Sequence, residues 1–181
     1  MEMHKILTVI AVIAACILIF AACSKNKNTK ITLMVEPPLT IDQVNADSGK
    51  VARAYLESLF FGNKEMFTKC YPDGFIENLG NANGVDIYEQ YREAMKINAS
   101  LVGTADAGYK DCTIENGYDP AFVKSRISHV TGIDYSDIGQ IRSQKITACF
   151  TNQVDTANTD FKFIVYEVGG TWYLLETDIT E

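Results

Sequence analysis

The feature that most limits what this chain can form is its first apolar run, residues 6–22. The run holds no charged side chain and follows a short start, Met1–Lys5, in which Glu2 and Lys5 balance. It is shorter than the roughly 20 apolar residues that a membrane-spanning helix needs, and it has the length of a secretory signal peptide. We therefore expect residues 1–22 to be removed on export, so that only the rest of the chain folds, outside the cytoplasm.

The run ends in the sequence Phe20-Ala21-Ala22-Cys23. This ending resembles the lipobox of bacterial lipoproteins, in which an aliphatic residue and two small residues precede a cysteine. The resemblance implies that the thiol of Cys23 receives a diacylglyceryl group and that a peptidase cuts just before it. Because two or three acyl chains hold a protein firmly, the expected location is the outer face of the bacterial cytoplasmic membrane, in the cell envelope.

A second candidate lipobox ends at Cys16, and its first residue, Ile13, fits the pattern better than Phe20 does. Cleavage before Cys16 would leave the apolar residues 17–20 at the start of the mature chain, where a solvated tether is expected. Cys23 is followed instead by the polar residues 24–30. We therefore favour lipidation at Cys23, with an uncleaved membrane anchor as the alternative. Both place the domain outside the cell.

The remaining chain divides into residues 23–30, the lipidated cysteine and tether, and residues 31–181, one domain. A chain of this length buries roughly two-thirds of the surface that it exposes when unfolded. The chain has a net charge of −7, the tether carries +3 and the signal peptide is neutral, so the domain carries −10. An acidic domain argues against nucleic acid as a partner.

Three cysteines lie in the domain: Cys70, Cys112 and Cys149. Because the number is odd, at least one of them has no partner within the chain. Their spacing matches no metal-binding motif, and we expect three small buried side chains rather than a metal or cofactor site.

The first half of the domain has the spacing of helices. Apolar residues three and four apart predict an amphipathic helix over residues 51–60, capped by Asp47 or Ser48 and ended by Gly62-Asn63. A shorter helix follows, closed by a turn at residues 72–74, with an inward face formed by Met66, Phe67 and Cys70.

Two further helices are predicted. One runs from about Val85 to Ala99, and the other begins at Asp119-Pro120, where an N-cap residue precedes a proline that suits the first helical position. Gly132 ends this last helix. Its predicted inward residues are Phe122, Val123, Ile127 and Val130.

The last third of the chain changes to the two-residue period of strands. Apolar and polar residues alternate over 146–151, and a second alternating run over 161–166 leads to Gly169-Gly170 and then to residues 171–175. Two extended runs around a glycine pair predict a β-hairpin, and a strand is possible at residues 109–114. Helices followed by antiparallel strands predict an α+β fold.

Two segments carry a resemblance to a known domain type. The first segment is similar to the start of nuclear-transport-factor-2-like (cystatin-like) domains: a helix is followed by Leu59–Asn63 and by a short helix that reaches Tyr71. The second segment, residues 165–174, is similar to the last hairpin of these domains. Such domains are frequent in lipoproteins of gut Firmicutes. The resemblance implies helices packed on a curved antiparallel sheet, with a cone-shaped cavity open at one end. The chain between Tyr109 and Gln140 departs from the simplest version of this topology.

If that cone is open, aromatic side chains line it and their hydroxyls supply the few polar groups that a ligand pocket needs. The predicted lining residues are Tyr55, Phe67, Tyr91, Tyr166 and Trp172.

The sequence contains few residues and no motif that indicate catalysis. His129 is the only histidine beyond the signal peptide, and no glycine-rich phosphate loop or Gly-x-Ser-x-Gly motif is present in the sequence. Asp134 and Asp137 flank Tyr135 in an acidic loop, which is more typical of a solvated turn than of a calcium site.

Three functions remain open. The preferred one is a non-catalytic envelope module that binds a protein or a cell-wall partner. The alternatives are a small-molecule binder that uses the cavity between helices and sheet, and an enzyme of the cone type. We predict no catalytic residue, cofactor or metal.

The lipidation site is testable by substitution. Cys23→Ala is expected to abolish acyl labelling and to leave an unprocessed precursor, because the thiol is the group that accepts the lipid. Metabolic labelling with a radioactive fatty acid measures this, with Cys16→Ala as the control that keeps both labelling and processing. A Cys23→Ala chain that is still labelled and cut would show that Cys23 is not the site.

Overall fold

The computed structural model describes residues 39–102, 106–115, 119–151 and 156–177. The expected signal peptide, lipobox and tether lie outside these ranges. Within them, helices and a four-stranded antiparallel sheet form an α+β fold, so the predicted fold class is confirmed.

The first helix begins and ends where the sequence predicts, and the predicted shorter helix follows it. Helix α1 spans Ser48–Phe61, with the carboxylate of Asp47 accepting the Lys50 N–H at 2.8 Å, and it ends at Gly62, whose φ of 77° is in the left-handed region. Helix α2 spans Lys64–Lys69, capped by the side chain of Asn63. Only one residue separates Gly62 from α2, so the glycine turns the chain back across α1.

Helix α3, Phe75–Asn83, was not predicted, and helix α4 spans Ile87–Val102, close to the predicted third helix. Residues 75–83 contain three asparagines and a glycine, and these residues weaken a helix in isolation. Packing overrides that preference: Ile76 is buried, and the ring of Phe75 stacks on Tyr71 at 5.8 Å between centroids.

The sheet is a meander with strand order β1-β2-β3-β4. Strand β1 spans Asp106–Glu115, β2 Ile138–Thr151, β3 Thr156–Val168 and β4 Thr171–Thr177. The predicted hairpin is confirmed, since Val168 pairs with Thr171 across the Gly169-Gly170 turn. The strand suggested at residues 109–114 lies within β1.

Helix α5, Pro120–Thr131, lies in the connection between β1 and β2, with Asp119 as its N-cap and Gly132 at its end, as predicted. Its inward face is narrower than predicted. Val123 and Ile127 are buried, whereas Phe122 is 65% exposed and Val130 37% exposed. The predicted inward positions of Phe122 and Val130 are therefore wrong, because only the pair of residues one turn apart meets the sheet.

The sheet carries a separate hydrophobic core on each face. On one face, Phe161, Phe163 and Val165 of β3 pack with residues of α1 to α4. On the other face, Ile164 and Tyr166 pack with Val123 and Ile127 of α5. Successive side chains of a strand point to opposite faces, so β3 is buried on both faces and α5 covers the face that the first four helices leave open.

A bulge in β2 changes which of its side chains face the second core. The pairing of β2 with β3 shifts between Ile138 and Ile141, and both residues pack with the second core despite their odd spacing. Gly139 lies within the bulge, where a β-carbon would collide with the carboxylate of Glu167, and that carboxylate accepts the Gln140 N–H at 3.3 Å. The glycine therefore leaves room for the Glu167 carboxylate beside the bulge.

The positions of the cysteines bear on disulfide formation. Cys70 is buried and free, and it lies at the end of α2 with its sulfur 3.3 Å from the carbonyl oxygen of Met66. In the β1–β2 register, Cys112 pairs with Ile146 while Cys149 pairs with Gly108. The two cysteines are therefore several residues out of register, farther apart than the roughly 7 Å between α-carbons that a disulfide spans.

We predict three free thiols in the chain from Ser24 onward. Burial raises the pKa of Cys70, so this thiol stays protonated and resists iodoacetamide at pH 8 in the folded protein. Alkylation followed by peptide mass spectrometry is expected to leave Cys70 unmodified before unfolding. All three cysteines are expected to be modified after unfolding in denaturant without reductant. A single free thiol in the denatured chain would instead reveal a disulfide.

Candidate functional site

Three of the five aromatic residues predicted to line a pocket contact one another. The ring centroid of Tyr55 on α1 lies 5.6 Å from that of Phe67 on α2, and Tyr91 on α4 lies 6.2 Å from Tyr55 and 6.0 Å from Phe67. Phe163 of β3 completes the group, 5.7 Å from Tyr55. Tilted and edge-on contacts of this kind are the ones that aromatic pairs prefer. These residues therefore pack against one another between the helices and the sheet.

The other two predicted lining residues have different surroundings. Trp172 belongs to the same core, and the guanidinium group of Arg142 lies 5.1 Å from its ring centroid. Tyr166 belongs to the second core, under α5. The sheet therefore separates Tyr166 from Tyr55, Phe67 and Tyr91.

The buried tyrosines of the first core are neutral hydrogen-bond donors. Burial raises the pKa of Tyr55 and of Tyr71, and the neighbouring tyrosines raise both further. Tyr88 donates its hydroxyl to the carbonyl oxygen of Ser58 at 3.2 Å. The hydroxyl protons of Tyr55 and Tyr71 are therefore not available to an acid–base reaction near neutral pH.

One carboxylate is buried in the first core, and sequence reasoning missed it. Glu57 lies in the middle of α1 and is 1% exposed. Its Oε1 accepts a hydrogen bond from Nε of Arg53 at 2.7 Å, one helical turn earlier, and its Oε2 accepts the backbone N–H of Leu39 at 2.9 Å. The signal available in the sequence was an acid and a base four residues apart within an otherwise apolar helix.

The partners of Glu57 decide what it can do chemically. A general base must reach the proton that it removes, directly or through one water. Both oxygens of Glu57 instead bind donors of the chain itself, and one of these donors is a charged guanidinium group. The arrangement holds the backbone at Leu39, the first described residue, against the central helix. Its role is therefore structural.

A second polar group joins the start of α1 to the sheet. The hydroxyl of Ser48 accepts a hydrogen bond from Nε2 of Gln144 at 2.6 Å, and both side chains are buried. Nearby, Nδ2 of Asn45 donates to the carbonyl oxygen of Trp172 at 2.6 Å, and the Trp172 N–H donates to the carbonyl of Asn45 at 3.1 Å. These bonds fix α1 to β2 and β4.

The remaining sequence candidates lie at the surface on the side of α5. His129 is exposed in the last turn of α5. Asp134 accepts hydrogen bonds from the hydroxyl and the backbone N–H of Ser136, and these bonds lower the pKa of its carboxyl. This is the geometry of a capped, solvated turn at Tyr135–Asp137, as expected. Nζ of Lys124 lies 5.2 Å from the ring centroid of Tyr135 and joins the turn to α5.

Comparisons with other proteins leave the resemblance to nuclear-transport-factor-2-like domains as a prediction. No protein-family model, curated protein or solved structure matches the chain. Among the described residues, no three His, Cys, Asp or Glu side chains are placed to hold a metal ion together. No helix in the same part of the chain is long and apolar enough to cross a membrane.

The buried ion pair is testable by removing one partner. Arg53→Met is expected to destabilise the fold by about 3–5 kcal/mol, because it leaves the Glu57 carboxylate buried without its charged partner. Adding Glu57→Gln recovers part of that loss, since the amide oxygen still accepts the Leu39 N–H. Urea unfolding measures the free energy.

The control is Lys50→Met, which breaks the exposed pair with Asp47 and is expected to cost less than about 1 kcal/mol. An equal cost for Arg53→Met and Lys50→Met would show that water, rather than the protein interior, surrounds the Arg53–Glu57 pair.

Proposed function

We propose that the chain is a cell-envelope lipoprotein, anchored through Cys23 on the outer face of the cytoplasmic membrane, whose domain is a non-catalytic module that binds a protein partner. The observation that carries this proposal is the concentration of exposed apolar side chains at α5. Of the four large hydrophobic residues that are exposed in the described structure, three lie on α5 or in the turn after it: Phe122, Val130 and Tyr135.

Helix α5 packs against the sheet on one face and exposes an aromatic side chain to solvent on another. Val123 and Ile127 attach it to the sheet, while Phe122 is 65% exposed and Tyr135, in the turn after the helix, is 46% exposed. Two of these exposed residues, Phe122 and Tyr135, are aromatic, and aromatic side chains are enriched at protein–protein interfaces. We define Phe122, Val130 and Tyr135 as the α5 surface.

The charge of the domain favours a protein with a positive surface as the partner. Residues 31–181 carry −10, and a net charge of this size steers oppositely charged partners and repels anionic polymers. The tether has the opposite sign, so its three lysines are attracted to anionic lipid headgroups next to the anchor. The acidic domain thus attracts positively charged proteins, whereas the basic tether attracts anionic lipid.

The buried groups support binding over catalysis. The aromatic residues of the first core pack on one another, and Glu57 is held by Arg53 and Leu39. His129 lies on α5 in the chain segment that covers the opposite face of the sheet. A carboxylate and a histidine separated by the sheet do not form an acid–base pair.

Cross-linking in living cells tests the proposal. A photoreactive benzoylphenylalanine at position 122 of the full-length, lipidated chain is expected to form one discrete cross-linked product with a protein, because this side chain would lie in the interface. The matched control is the same residue at Thr68, which is exposed on α2 within the other helical layer and is expected to give no such product. Immunoblotting of membranes after irradiation measures both.

The mass of the cross-linked product and its sensitivity to protease or to lysozyme identify the class of partner. A discrete band that protease removes supports a protein partner. High-mass material that lysozyme removes indicates a cell-wall partner instead and contradicts this proposal. Equal labelling at positions 122 and 68 would show that the α5 surface is not an interface.

A further inference from the structure

The two cores of the sheet differ in size. Among the described residues, the first core joins 21 buried residues and the second joins five. Burial of apolar surface is the dominant favourable term in folding and scales with the buried area. The segment that rests on the second core, residues 120–137, is therefore held less strongly than the four helices on the first. We call residues 120–137 the α5 layer.

Helix α5 is attached to the sheet by few side chains. Within its 12 residues only Val123 and Ile127 are buried, whereas every residue of α1 from Val51 to Leu59 is buried. The contact of Lys124 with the ring of Tyr135 joins the helix to its own turn rather than to the sheet. Segments with few buried apolar contacts open at lower free energy than the core of a fold.

The sheet face beneath α5 carries polar groups that weaken its docking. Tyr166 is fully buried, and its hydroxyl makes no hydrogen bond with any group of the described chain. Ser143, also buried, lies opposite Ile164 on the same face. An unpaired hydroxyl raises the free energy of the closed form, and water pairs with it once α5 moves away. The hydroxyl of Tyr166 therefore lowers the free energy needed for opening.

We propose that the α5 layer opens from the sheet as a unit while the first core stays folded. In the closed form Val123 and Ile127 lie on the sheet, and in the open form Ile164 and Tyr166 meet water. The side chains of the α5 surface keep their relative positions only in the closed form. Opening thus regulates partner binding, and this consequence alone rests on the proposed function.

Hydrogen exchange followed by mass spectrometry measures the opening. The full-length, lipidated chain is placed in lipid nanodiscs without a partner, and two pH values are used to confirm that exchange rates report the opening equilibrium. After correction for intrinsic rates, the backbone amides of α5 are expected to exchange about 100-fold faster than those of α1, since they need only the local opening. Equal rates in the two helices would overturn the proposal.

Tyr88→Phe separates local opening from unfolding of the whole domain. It removes a hydroxyl that donates to the carbonyl oxygen of Ser58 in the first core, so it destabilises the closed and open forms equally relative to the unfolded chain. The amides of α1 are expected to exchange about fivefold faster, and those of α5 at an unchanged rate. Equal acceleration in both helices would show that α5 opens only when the whole domain unfolds.

Tyr166→Phe tests the part played by the unpaired hydroxyl. It keeps the ring and stabilises the closed form relative to both the open form and the unfolded chain. Exchange in α5 and in α1 is therefore expected to slow by the same factor, about fivefold. Faster exchange in this variant would show that a trapped water or Ser143 pairs with the hydroxyl, and would contradict its role in opening.

These measurements need no partner and are independent of the cross-linking experiment. A chain whose α5 layer opens as expected, but which gives no cross-linked protein at position 122, would contradict the proposed function alone. A chain that gives the cross-linked protein, but whose α5 amides exchange only with those of α1, would contradict the opening alone.

Discussion

The structure depends on the complete burial of helix α1. Every residue from Val51 to Leu59 is buried, because the sheet, α2, α4 and the segment at Leu39 surround this helix. A helix that is buried on all sides normally has apolar residues on every face. Arg53 and Glu57 are tolerated in this buried helix because they pair with each other, and a buried charge without a partner is far more costly than a buried pair. The pair therefore lets a charged helix occupy the centre of the fold.

The local signals in the sequence predicted the limits of the elements well. Asp47, Gly62 and the Gly169-Gly170 turn act through the backbone of their own segments, so one sequence is enough to place them. Helix α3 was missed because its stability comes from contacts made elsewhere, such as Phe75 on Tyr71. Phe122 was placed inward because periodicity defines a stripe on a helix but not which part of it meets the sheet.

The candidate site was harder to predict for the same reason. Tyr55, Phe67 and Tyr91 were recognised as aromatic residues of one region, and they do contact one another. Tyr166 was grouped with them because the alternation in β3 gives two sets of side chains without saying which face each set meets. Only the position of α5 shows that both faces are covered. The sheet therefore has two separate cores, one under the first four helices and one under α5.

The bond between Leu39 and Glu57 has a mechanical consequence for an anchored protein. The chain from the proposed lipid enters the described fold at Leu39, whose N–H is held by Glu57 at 2.9 Å. Any force that reaches the backbone of Leu39 passes through this bond to the middle of α1. Such a force is resisted by one backbone hydrogen bond, whose acceptor the Arg53–Glu57 ion pair holds in place.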